Sequence, residues 1–286
     1  NHYNFDLNRD WAWQTQVETQ QRLKKYNEWM PQIHCDFHEQ GINNTYYFAP
    51  AAEPFHEVIT PWQRDFQTTI GKNHAKYFDA NGWFYFTKEI FDLFYPSYGD
   101  TYPMYNGAIG MTYEQGGIGA GLGIIDNSLD TLTLVARATH HYTTGLSTIE
   151  ISSQNRENLL SAFKKYYDNS RAGTISEYKT FVMTAPNANA LEALAGLLQK
   201  NNIQYGTLTA GTSFKGYDYV AKKDGDFVNQ GFTLAVNAAQ AHGVLARVLL
   251  EPITQVNDSN TYDITTWSLP YAYGVHGYAS KEKLTI

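Results

Sequence analysis

The 286 residues read as an α/β protein: a mixed, mostly parallel sheet flanked by helices, followed by a second, smaller α/β domain. Three observations point there. Short apolar runs bounded by proline or glycine have the length of buried strands. Longer segments without proline or glycine place apolar residues at helical intervals. Beyond residue 176 a strand, a helix and a strand follow one another within some thirty residues, the pattern of a βαβ unit.

The elements follow in order. Residues 3–7 alternate Tyr3, Phe5 and Leu7 with polar residues and read as a strand. Residues 11–29 place Trp13, Val17, Leu23 and Tyr26 near helical spacing, and Pro31 ends the run. Residues 32–38, between Pro31 and Gly41, form a short apolar strand, and residues 46–50 suggest another. Residues 61–78 read as a helix stopped by Asn81-Gly82, then residues 83–87 and 109–113 as strands, the latter ending at Glu114. Residues 131–165 hold one long helix or two. Residues 167–174 (Tyr-Asp-Asn-Ser-Arg-Ala-Gly-Thr) shift composition and suggest a linker. Beyond it, 179–184, 203–208 and 231–237 are strand-like, and 189–200 and 243–250 are helical. Two domains are therefore expected, at 1–170 and 176–286.

Composition excludes several classes. Hydrophobic residues make up 43% and charged residues 17%, which suits a packed core rather than disorder. The net charge of −7, from 21 basic and 28 acidic residues, lacks the basic footprint that nucleic acid demands. No run of apolar residues approaches the ~18 needed to span a bilayer. Cys35, the single cysteine, allows no intrachain disulfide and reads as a buried thiol. The chain opens without Met and inside a strand-like run, as a mature or excised piece would.

Familiar motifs fail. The glycines of 116–123 do not match the spacing of a dinucleotide loop, and His38-Glu39 is not followed by the second histidine of the helical metalloprotease signature. No Gly-x-Ser-x-Gly elbow occurs. Three stretches do carry chemistry. Asn8-Arg9 offers an amide and a guanidinium fork suited to gripping a carboxylate. His38 closes a run that reads as a buried strand, at the end where open α/β sheets bind ligands. Glu114 closes another, where desolvation raises a carboxylate's pKa toward that of a general base. Singly, each has a plain reading: a surface ion pair, a core histidine, a helix-start acid. Together, at strand ends of one chain, they favour a site.

The ordered set Asp6-Leu7-Asn8-Arg9, Asp36-Phe37-His38 and Thr112-Tyr113-Glu114 resembles the zinc carboxypeptidases, the carboxypeptidase A-like metallopeptidases. The stretches around 36–39, 91–100 and 106–115 are similar to large bacterial members, over about residues 1–160. The resemblance implies a secreted or periplasmic hydrolase that removes C-terminal residues from peptides, including cell-wall stems. Asn8 and Arg9 would bind the substrate's terminal carboxylate, His38 would be a zinc ligand and Glu114 the general base. Tyr95 or Tyr98 would cap the substrate; spacing does not choose between them. The specificity pocket would lie in 98–109, where Asp100 is either a turn residue or a hint of a basic substrate side chain.

One departure stands out. None of the nine histidines has Glu or Asp three residues on, so the family's His-x-x-Glu zinc motif is not in these residues. The chain therefore looks like the C-terminal part of a catalytic domain with an accessory domain behind it. It is expected to hold no stoichiometric zinc alone, and to carry an incomplete sheet prone to self-association. His34, Asp36 and His38, on one strand face, are the alternative metal group. The alternative function is a non-catalytic module that binds peptide C-termini.

Overall fold

The computed structural model describes residues 4–256, 261–263 and 267–286. Its first half contains α1 (Val17–Trp29), β1 (Ile33–Gln40), β2 (Tyr46–Tyr47), β3 (Ala52–Phe55), α2 (Pro61–Asn81), β4 (Tyr85–Phe86), β5 (Asp92–Leu93), α3 (Thr101–Met104), β6 (Ile109–Gly116), β7 (Gly123–Ile125), β8 (Thr131–Thr133), α4 (Leu134–Gln154) and α5 (Arg156–Ala172). The second half adds β9 (Thr180–Thr184), α6 (Ala188–Lys200), β10 (Ser213–Asp218), β11 (Lys223–Val228), β12 (Thr233–Asn237), α7 (Gly243–Leu250), α8 (Leu269–Ala272) and β13 (His276–Ser280).

The fold is mixed α/β. A four-stranded sheet runs β1-β6-β2-β4, with β1 parallel to β6, β2 antiparallel to β6 and β4 parallel to β2. A separate five-stranded antiparallel sheet runs β11-β10-β13-β9-β12. Local chemistry explains several boundaries. Thr60 and Gln63 cap α2 reciprocally with Pro61 in its first turn, and Gly82, at φ 67°, ends it in the left-handed region. Thr133 caps α4 by accepting from Ala136 N–H. Where one helix or two was open, Asn155 separates α4 from α5.

Other expectations change. Residues 4–6 form no strand; the Asp6 side chain accepts from Asn8 N–H and starts a 3-10 turn over Leu7–Arg9. Tyr3, at the start of that expected strand, lies outside the described residues. The first helix begins at Val17 rather than at 11, because the buried Asp10 carboxylate takes Thr15 N–H, Thr15 Oγ1 and Gln16 N–H at 2.7–2.9 Å and holds the preceding residues in turns. Residues 203–208 make one isolated bridge, Gly206 to Ala235. The βαβ expectation also fails: the stretch expected as its second strand, 203–208, does not pair with β9 but bridges β12 antiparallel, and β12 in turn pairs antiparallel with β9. The hairpin of β10 and β11 and the central strand β13 had no sequence signal.

The stretch read as a linker is largely helix, since α5 runs to Ala172 before Gly173 turns the chain at φ 66°. One apolar cluster then crosses it, joining Trp11, Leu23 and Tyr102 to Phe181, Leu194, Leu245 and Leu250. A second cluster lies between the four-stranded sheet and its helices, built on Phe48, Ile70, Phe78, Met111 and Tyr113.

Candidate carboxylate-binding cleft

The cleft follows from strand register. β1 and β6 pair in parallel with His38 opposite Glu114 and Asp36 opposite Thr112. Side chains two apart share a face, so these four project together. The other face carries Phe37 and Tyr113, ring centroids 5.2 Å apart. Glu39, also on that side, pairs with Arg137 at 2.8 Å.

A third segment closes over the strand ends. Gly99 N–H donates to Asn8 Oδ1 at 2.6 Å, tying the 3-10 turn to the loop before α3. A Cβ at Gly99 would overlap Asp36 Oδ2 and come within 3.0 Å of Asn8 Oδ1, so this close approach requires glycine. Asn8 Nδ2 lies 3.4 Å from His38 Nε2, which lies 2.9 Å from Asp36 Oδ2. Arg9 stacks its guanidinium over the Tyr98 ring at 4.6 Å. It also meets Asp6 at 3.5 Å and Asp263 at 3.0 Å. A cavity of about 220 Å³ results, lined by Asn8, Arg9, His38, Tyr98, Asp100 and Glu114 among others.

Its electrostatics are those of a partly desolvated, acid-rich site. Burial pushes the Glu114 carboxyl up to about 7; Asp100 and Asp36 add to that, and His38 opposes it. That carboxyl lines the cavity. Burial likewise raises Asp100 to about 6, although Thr112 Oγ1 and Thr101 Oγ1 donate to it at 2.9 and 3.0 Å. The hydrogen bond to Asp36 raises His38 above the usual imidazole value, against the effect of its burial.

The structure thus brings Asn8, Arg9, His38, Glu114 and Tyr98 into one cavity. Tyr95 is not among its lining residues; its hydroxyl takes Trp13 Nε1–H at 2.5 Å and its ring packs on Tyr98. Sequence reasoning missed Phe91, Asp92 and Tyr262, which also line the cavity, and Asp263 on Arg9. No local pattern marks residues 262 and 263, because their partners lie more than 160 positions away.

The donor set does not suit zinc. Among the described residues no group of three or more His, Cys, Asp or Glu side chains can hold a metal ion. His34 does not supply the lack: its ring packs edge-on against Trp11 and Tyr26, 5.2 and 5.7 Å away, and burial lowers it to about 4. The residues present therefore do not fit a catalytic zinc, which takes three protein ligands and an open position. Cys35, on the opposite face of β1, packs against the second cluster, its thiol pushed up to about 11 by burial.

No known protein family, curated protein or solved structure matches the chain.

Proposed function

We propose that this cleft binds the free C-terminus of a peptide, and that it is the substrate-binding and proton-transfer part of a zinc carboxypeptidase. The observation that carries this reading is the pairing of His38 with Glu114 across two parallel strands, on a cavity whose rim holds Asn8 and Arg9. Arg9 supplies a fork that matches a carboxylate, and the Asn8 amide, fixed by Gly99, reaches the same cavity. Tyr98 holds the guanidinium plane from beneath. Glu114, poised near neutrality, is the group suited to take a proton from a nucleophilic water and return it to the leaving amine. Because Arg9 recognises a free carboxylate, the site acts at chain ends. A secreted or periplasmic setting goes with this reading.

Zinc is the cofactor this class requires, and His38 is the cavity residue that matches one of the family's ligands. The remaining ligands are not among these residues, so no step is assigned to the metal here. That missing donor set favours a second reading for the chain by itself: a module that binds peptide C-termini without cleaving them.

Titration with a free-acid peptide and its C-terminal amide tests both readings. The acid should bind and the amide should not. Arg9→Lys, which keeps charge but loses the fork, should weaken acid binding by about 1.5–3 kcal/mol. Equal binding of acid and amide to the unaltered chain would remove the carboxylate assignment.

A further inference from the structure

Arg9 already holds a carboxylate. Its Nε and Nη2 both reach Asp263 Oδ2, at 3.1 and 3.0 Å, across 254 positions of sequence. The contact is built rather than incidental. Tyr262 N–H donates to Asp92 Oδ2 at 2.8 Å. Asp92 is buried, and its other oxygen accepts from Phe94 N–H at 3.2 Å. The Tyr262 ring packs against Phe91, 5.1 Å between centroids, and faces Tyr98 at 6.4 Å. The backbone at 262 is therefore pinned to the cavity wall, and the next side chain is delivered onto the guanidinium.

An aspartate side chain and a peptide's terminal carboxylate are the same chemical group. Nη1 already meets Asn8 O at 3.3 Å and Asp6 at 3.5 Å, so an incoming carboxylate would compete with Asp263 for the Nε–Nη2 edge of the fork. The strength of the pair decides what that exclusion means. Asp263 is 45% exposed and Arg9 23%, so water screens their attraction and the contact is weak. An incoming carboxylate can displace it, whereas a fully buried pair would lock the site.

We propose that Asp263 is a built-in competitor for the Arg9 subsite, which an acid peptide must displace, while Tyr262 stays in place as a wall. This rests on the carboxylate-binding reading of the cleft. Competition lowers apparent affinity by the fraction of molecules in which Arg9 is free.

The test is calorimetric titration of the full chain with N-acetyl-alanyl-alanine and with its amide. Asp263→Asn keeps the shape and removes the charge. It should bind the acid about two- to fivefold tighter, as expected for loss of an exposed pair, and leave the amide unchanged. Asp6→Asn is the comparison: Asp6 lies 3.5 Å from Nη1 and is 58% exposed, so its effect should be smaller. Asp263→Ala repeats the measurement without an amide, and melting curves report whether each variant is folded. If Asp263→Asn binds the acid no tighter while Arg9→Lys weakens it, the competitor falls and the carboxylate subsite stands. Weaker acid binding by Asp263→Asn would mean that Asp263 orients Arg9, which also overturns competition. If acid and amide bind alike in every form, the subsite itself falls and takes the competitor with it.

Discussion

Replacing Glu114 by Gln should stabilise the protein at alkaline pH, because burial opposes ionisation of the Glu114 carboxyl in the folded chain. Burial moves Glu114 from an ordinary 4.5 to about 7 in the folded chain. A folded pKa above the unfolded one means that the folded state binds the extra proton. Its stability relative to the unfolded chain is full below pH ~4.5 and is lost as pH rises through 7. That difference in pKa corresponds to roughly 3 kcal/mol before screening. The cavity is open to solvent, so screening brings the expected value to about 1–3 kcal/mol. Gln keeps the shape without ionising, so Glu114→Gln should recover that amount above pH 8 and almost nothing at pH 4.5. For a chain of this size that is a rise in melting temperature of about 2–6 °C. Thermal melts of both forms at pH 5, 6, 7 and 8 measure the difference directly. The gain should build up mostly between pH 5 and 7. A difference that is the same at every pH, or that shrinks as pH rises, would show that Glu114 ionises normally and is no base poised near neutrality.

Two further expectations test the cleft's framework. Gly99→Ala would place a methyl against Asp36 Oδ2 and Asn8 Oδ1, so it should destabilise the fold by about 1–3 kcal/mol in urea unfolding; acid peptides should also lose their preference over amides, and an unperturbed variant would show that the close approach is not needed. The chain should retain no stoichiometric zinc after incubation with excess metal and dialysis, because His38 offers one imidazole where a catalytic site needs three protein ligands; one tightly held zinc per chain, measured by metal analysis, would return attention to His34, Asp36 and His38.

Which parts of this architecture were legible depends on how local their causes are. The strands carrying His38 and Glu114 stand out because each is a short apolar run with a breaker nearby, and α2 because Pro61 and Gly82 mark its ends. The opening residues read as a strand because Tyr3, Phe5 and Leu7 alternate as a strand would. A single side-chain bond from Asp6 to Asn8 N–H outweighs that weak pattern and curls the chain into the turn that carries Arg9. The β10–β11 hairpin has no sequence pattern because Lys215, Asp218, Lys223, Asp224 and Asp226 make its strands look like loop, and the pairing across the turn 219–222 supplies what their composition lacks.

The least legible feature is the one that changes the chemistry most. Asn8, Arg9, His38 and Glu114 can each be picked out from neighbouring residues, and the β1–β6 register explains how two of them meet. The counter-charge on Arg9 cannot be found that way, since Asp263 owes its position to a backbone bond from Tyr262 to a buried Asp92 in another part of the chain. Residue types advertise what a site would bind, and only the assembled structure reveals what already stands there. On the proposed carboxylate-binding reading the consequence is quantitative: affinity for an acid peptide would be set by the difference between two carboxylates competing for one guanidinium, not by Arg9 alone.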